Sequence, residues 1–95
     1  MKVRYNVTRL IVWKAAIVLY PYILFRRGKR EVSDRLFRHE LEHVYQVKRM
    51  GWFKFYSTYL WYSLRHGYWN NPYEIEARAM ENEPLTDAER ALRRN

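Results

Sequence analysis

The sequence predicts an α+β fold: a small antiparallel sheet or hairpin followed by three to four helices, in a single domain spanning residues 1–95. Three observations carry this. Val3, Tyr5 and Val7 alternate with Lys2, Arg4, Asn6 and Thr8, the period of a half-buried strand. Residues Ile17–Phe25 are β-branched and aromatic, which suits a second strand. From Ser33 onward the chain carries helix punctuation: capping side chains, glycine stops and apolar residues at helical spacing.

The elements follow in order. Pro21 restricts the Ile17–Phe25 segment to a sheet edge or a bulge, because proline cannot donate to a ladder. The segment Leu10–Ala16 is compatible with strand or short helix. Arg26–Arg30 is a basic turn around Gly28. Ser33 or Asp34 can cap the first helix, which ends at Gly51. A second helix covers Trp52–His66 and stops at Gly67. Its clearly polar arc holds only Lys54, Thr58 and Arg65, so most of its aromatic surface is expected to be buried or to face a cleft. Asn71-Pro72 starts a third helix over Pro72–Asn82, ending before Pro84. Thr86-Asp87-Ala88-Glu89 is a capping box that opens a short fourth helix, and Arg93–Asn95 is expected to fray.

Ninety-five residues can build one core but not two lobes. With no cysteine, neither disulfides nor a thiolate zinc finger can staple that core. Nine Tyr, four Trp and four Phe must therefore do much of the packing. The formal charge of +8 is spread along the chain and suits acidic partners such as nucleic acid, anionic lipid or acidic protein segments. Leu10–Phe25 is apolar, but Lys14 and Pro21 interrupt it, so neither a membrane span nor a signal peptide is expected. The expected location is cytoplasmic.

The chemistry centres on His39-Glu40-Leu41-Glu42-His43, an HExxH sequence. Two imidazoles four residues apart lie on one helical face and can grip one metal ion, while the intervening glutamate can act on water. At 100° per residue, Leu36, Phe37, Leu41, Val44, Tyr45 and Val47 fill an arc of about 180°. Arg35, Arg38, Glu42 and Arg49 fill the other. His39 and His43 fall at the apolar edge. Glu40 falls inside the apolar arc, where a carboxylate is costly without compensation. Glu42 is expected to face water as ordinary surface charge. A catalytic zinc site usually needs a third protein ligand and an open position. The candidates are His66, Glu74, Glu76 and Glu81.

The HExxH segment, followed by Asn71-Pro72-Tyr73-Glu74-Ile75-Glu76-Ala77, resembles the gluzincin metallopeptidases, most nearly their minimal minigluzincin form, over roughly residues 15–82. In that group the later glutamate stands in an E-x-x-A-D setting. The resemblance implies a zincin-like fold with Zn²⁺ held by His39, His43 and Glu74, Glu76 being the fallback ligand. It implies an endopeptidase in which Glu40 is the general base. The expected substrate is a peptide or protein, possibly acidic, bound as an extra strand along the edge that holds Pro21. His66, Tyr68 and Tyr73 are candidate transition-state donors. One position departs from the pattern: the family's Asp, which orients a ligand imidazole, is replaced by Arg78, so either another group does that work or the site is weaker.

Other readings stay open. Asn71 and Glu74 also fit a capping box. The chain could be a zincin-like metal-binding domain without catalysis, or a basic module for nucleic acid or another anionic partner. The C-terminal segment Leu85–Asn95 is expected to fold over the cleft as a lid.

Overall fold

The computed structural model describes residues 2–8 and 15–94. Its elements are β1 (Lys2–Arg4), β2 (Ala16–Leu19), β3 (Tyr22–Phe25), a 3-10 turn at Lys29–Glu31, α1 (Asp34–Met50), α2 (Trp52–His66), α3 (Pro72–Met80) and α4 (Asp87–Arg94). The undecided segment Leu10–Ala16 lies outside the described residues as far as Lys14, and Ala16 opens β2.

The strands form one sheet in the order β1-β3-β2. β3 pairs antiparallel with β2 and parallel with β1, so the sheet is mixed rather than purely antiparallel. The apolar run Ile17–Phe25 is two strands, not one. Pro21 sits in the turn between them, where its missing N–H breaks no ladder bond. β1 is shorter than the alternation suggests because Asn6 adopts a positive φ of 61°, a conformation asparagine tolerates better than most residues.

Inward side chains of the sheet, Val3, Val18, Ile23 and Phe25, meet Phe37, Leu41 and Val44 of α1. The rings of Tyr5, Phe25 and Phe37 stack in series at 5.5 and 5.7 Å between centroids. Ser33 caps α1 by accepting from the Leu36 N–H, and Gly51 ends it at φ 83°, the left-handed region that disfavours side chains. Gly67 ends α2 in the same way at φ 79°.

Three expectations are corrected here. Glu42 does not face water. It is buried, as is Arg38, and the two approach within 3.7 Å. A one-face helical wheel assumes one neighbour, but α1 packs against the sheet, α2 and α3 and also receives Glu89 of α4. The aromatic surface of α2 divides: Phe55 is buried and, with Tyr56 and Tyr59, faces a cavity as expected, but Trp52, Phe53 and Trp61 are exposed, as are Leu60 and Leu64. Finally, the C-terminal segment is no lid. Leu85 enters the core and Glu89 binds Arg38, while Tyr5 donates to the Arg93 carbonyl, so α4 lies along β1 and the Arg38–Tyr45 side of α1.

Candidate metal centre

Helix geometry alone puts His39 and His43 one turn apart on α1. Their rings lie edge to face, 5.2 Å between centroids. Glu74 enters from the first turn of α3, opposite them, and is almost completely buried. Its Oε1 is 3.0 Å from His39 Nε2, and its Oε2 is 3.1 Å from His43 Nε2. One donor atom from each of the three residues lies within 4.8 Å of the other two, close enough for all three to hold one metal ion.

The far nitrogens are held as well. His39 Nδ1 is 3.0 Å from Glu81 Oε2, and His43 Nδ1 is 2.8 Å from Gln46 Oε1. The amide of Gln46 is oriented by its own donations, from Nε2 to the Tyr73 carbonyl at 3.1 Å and to Glu76 at 3.2 Å. Its oxygen therefore faces the imidazole, and His43 donates from Nδ1. With acceptors on both Nδ1 atoms, the two Nε2 atoms are the ones that could bind a metal.

The electrostatics agree with a site that concentrates charge. Burial opposes ionisation of Glu74, but hydrogen bonds from His39, His43 and Tyr59 outweigh it and hold the carboxyl well below the usual carboxylate range. Burial likewise opposes protonation of both histidines. Glu74 and the nearby charge of Glu40 overcome that and raise their pKa values. Burial also raises the pKa of Tyr59, reinforced by its hydrogen bond to Glu74. Burial raises that of Tyr68 too, with the charges of Glu74 and Glu40 adding to the shift.

Glu74 rather than Glu76 joins the histidines. Glu76 is exposed and binds Arg49 at 2.6 Å. The capping-box alternative for Glu74 does not hold: Asn71 accepts from the Tyr73 N–H, while the Glu74 carboxylate is given to the imidazoles. His66, proposed as ligand or donor, lies exposed at the end of α2 against Tyr62, outside the cluster. Tyr73 is no donor to the site. Its ring stacks on Phe55 and its hydroxyl points to Met50 Sδ. Tyr68 does stand near, influenced by both Glu74 and Glu40.

Two residues of this arrangement are not read from the sequence, and a third takes another role. Gln46 was legible only as a polar residue three positions beyond His43. Tyr59 lies on the inner face of α2 among other aromatics. Glu81, a candidate ligand by sequence, instead contacts the far nitrogen of His39. Arg78 stacks over Trp69 at 3.8 Å and donates to the Trp69 carbonyl.

Two cavities meet at Glu40. One of about 220 Å³ is lined by Ile17–Leu19, His43, Phe55, Tyr56, Tyr59 and Glu74. The other, of about 380 Å³, is lined by Ala16, Arg35, His39, Tyr68, Trp69, Arg78 and Glu81 among others. Strand β2 borders both, and as the last strand of the sheet it is an edge among the described residues. Comparison with protein-family models, with curated proteins and with solved structures finds no match. The fold and the cluster by themselves define a small α+β protein with a three-donor site that could hold a metal ion.

Proposed function

We propose that the chain is a zinc-dependent peptidase of zincin-like fold, with His39, His43 and Glu74 as metal ligands and Glu40 as general base. One observation supports this most: both imidazoles turn Nε2 to the two oxygens of one buried carboxylate while their Nδ1 atoms are anchored. Two nitrogens and one carboxylate are a donor set that zinc favours when one position is kept for catalysis. The dependence on buried, well-oriented ligands also separates this cluster from an exposed acidic patch.

Zinc, when bound, supplies Lewis acidity, acidifying water and polarising an amide carbonyl. The chain's own residues supply the rest. Glu40, between the two cavities, takes the proton of the attacking water and passes it to the leaving nitrogen. Tyr68 keeps its hydroxyl proton through neutral pH and can donate to the developing oxyanion. An extended peptide along β2 would run past Glu40 and set one side chain into the apolar cavity beside Phe55 and Tyr56.

The reading is tested by metal analysis of the purified protein and by hydrolysis of a denatured protein substrate, with and without chelation. Stoichiometric zinc and chelator-sensitive cleavage are expected. A protein that takes up no divalent metal refutes the centre; one that binds zinc tightly but cleaves nothing refutes the peptidase.

A further inference from the structure

The outer face of α2 has no role in the metal centre. Phe53, Leu60, Trp61 and Leu64 fall within an arc of about 100° on this helix, with Trp52 beside them. These five side chains are between 59% and 76% exposed. Soluble proteins seldom present such a contiguous apolar face without a partner. None of them lines the three principal cavities, so the face offers a protrusion rather than a groove.

The face continues onto the sheet. The Tyr56 hydroxyl accepts from the Tyr20 N–H at 3.0 Å and donates to the Val18 carbonyl at 2.9 Å, fastening the β2–β3 turn to α2. Exposed Leu19, Tyr20 and Tyr22 thereby extend the apolar surface. Cations border it at both ends. Lys54 and Arg65 follow Trp61 around the helix, and Lys2 and Arg4 lie over the Tyr22 ring at 5.9 and 5.8 Å. No Asp or Glu occurs between Glu42 and Glu74, in a chain of net charge +8.

From this we infer that α2 and the β2–β3 turn form a docking surface for an anionic lipid membrane, with α2 lying in the plane of the headgroups. An apolar helix face rich in Trp, Phe and Leu and edged by Lys and Arg is the pattern of an interfacial helix. Indole rings partition to that boundary because one end is apolar and the other donates a hydrogen bond. No helix among the described residues is long and apolar enough to cross the bilayer, so the contact is peripheral. A second copy of the chain fits less well. A two-fold pairing through this face would set Lys54 and Arg65 near their own equivalents, with no carboxylate on α2 to neutralise them. A fluid lipid surface also needs no preformed groove. Tyr56 and Leu19 line the apolar cavity as well, so docking brings the mouth of that cavity to the lipid surface.

The experiment is co-sedimentation of the full chain with vesicles of phosphatidylcholine alone or mixed with phosphatidylglycerol, with tryptophan emission recorded in parallel. Zinc-loaded and chelated protein are both used, so the result is independent of the metal centre. Binding to the mixed vesicles, with a blue shift of emission, is expected in both states, together with little binding to phosphatidylcholine alone. The Phe53→Ser/Leu64→Ser variant should lose at least about tenfold in partitioning, and so should Lys54→Glu/Arg65→Glu. Both variants touch exposed side chains, and circular dichroism checks their folding. Equal binding to neutral vesicles, or variants that bind as the native chain does, would overturn the inference. So would a dimer that the serine variant dissolves while neither vesicle type binds. Single-stranded oligonucleotide binding that both variants weaken, with vesicles ignored, would assign the face to nucleic acid instead.

Discussion

Glu81 Oε2 stands 3.0 Å from His39 Nδ1, and the other oxygen of the same carboxylate accepts from Arg35 Nε at 2.8 Å. Glu81 continues the helical backbone at the end of α3, with φ −68° and ψ −18°. Positions four and seven residues beyond Glu74 share its face of the helix, and a helical side chain leans back toward the N-terminus. Glu81 therefore reaches back along α3 to the His39 imidazole, while Arg78 on the same face is engaged with Trp69. We predict that Glu81→Ala weakens zinc binding by about 10–100-fold, the usual effect of removing such a partner, and that Glu81→Gln, which keeps an acceptor, loses less. Chelator competition measures both. Native affinity in Glu81→Ala would show that the contact does not orient a ligand.

Glu40 lines both cavities and touches the site electrostatically without belonging to the three-donor cluster. Glu40→Gln should therefore keep its zinc and lose hydrolysis by about 10²–10⁴-fold, the range for a positioned general base. Metal content and turnover of a denatured protein substrate are compared on one preparation. Native turnover in the Gln variant removes Glu40 from the mechanism.

Metal removal should lower stability without abolishing the fold. In the metal-free geometry Glu74 is satisfied by both imidazoles and by the Tyr59 hydroxyl, so no buried charge is left alone. Zinc at about a thousand times its dissociation constant adds about 4 kcal/mol to the folded state. Thermal melts before and after chelation should differ, and re-addition of zinc should restore the higher midpoint. In Glu74→Ala the difference should nearly vanish; if it persisted in full, the carboxylate would not be a ligand.

Tyr56 occupies two backbone groups of the β2 edge, the Val18 carbonyl and the Tyr20 N–H. Both would otherwise be open to a strand pairing there. Tyr56→Phe keeps the ring and frees them. Long extended peptides should then bind more tightly, seen as a lower KM with kcat little changed. An unchanged KM for long and short peptides alike would mean that substrate does not pair along this part of β2.

How much was legible beforehand depended on whether the signal was local. Caps, glycine stops and the HExxH spacing are contained within a few residues, and Ser33, Gly51, Gly67, Asn71 and the Thr86–Glu89 box all stand as read. The split of Ile17–Phe25 into two strands turned on Pro21, whose position in a turn rather than an edge depends on β3 pairing to both sides. Glu42 and Arg38 were misplaced because a wheel for α1 cannot know how many neighbours the helix acquires. The same blindness made the aromatic face of α2 look like core. For the centre, the two histidines and Glu74 followed from motif and resemblance. Glu81 reaches His39 only through the packing of α3 on α1, and Gln46, on α1 beside His43, is turned toward it by its donations to Tyr73 and Glu76 of α3.

The buried cluster on the other side of α1 makes a prediction that needs no metal. Glu89 receives hydrogen bonds from Arg38 Nη1 at 2.8 Å, from the Thr86 N–H at 2.8 Å and from the Tyr45 hydroxyl. Burial would raise its pKa, but these donors and the Arg38 charge prevail and lower it. A carboxyl whose folded pKa is depressed contributes stability that is present above its unfolded pKa and lost as pH falls through the folded value. The Tyr45 hydroxyl moves the other way. Burial and then the hydrogen bond to Glu89 push it up to about 12, so its contribution holds below the ordinary tyrosine range and disappears as pH rises toward that value. Removing one partner of a buried ion pair costs about 3–5 kcal/mol, since the other is left uncompensated. Glu89→Gln should therefore unfold at markedly lower urea concentration than the native chain at pH 7. The gap should begin to narrow as pH drops below about 4, where the carboxyl of the unfolded chain takes up its proton while the native one, held lower, still resists. A gap that stays constant from pH 7 to pH 3 would mean that the charge on Glu89 plays no part in fastening α4 to α1.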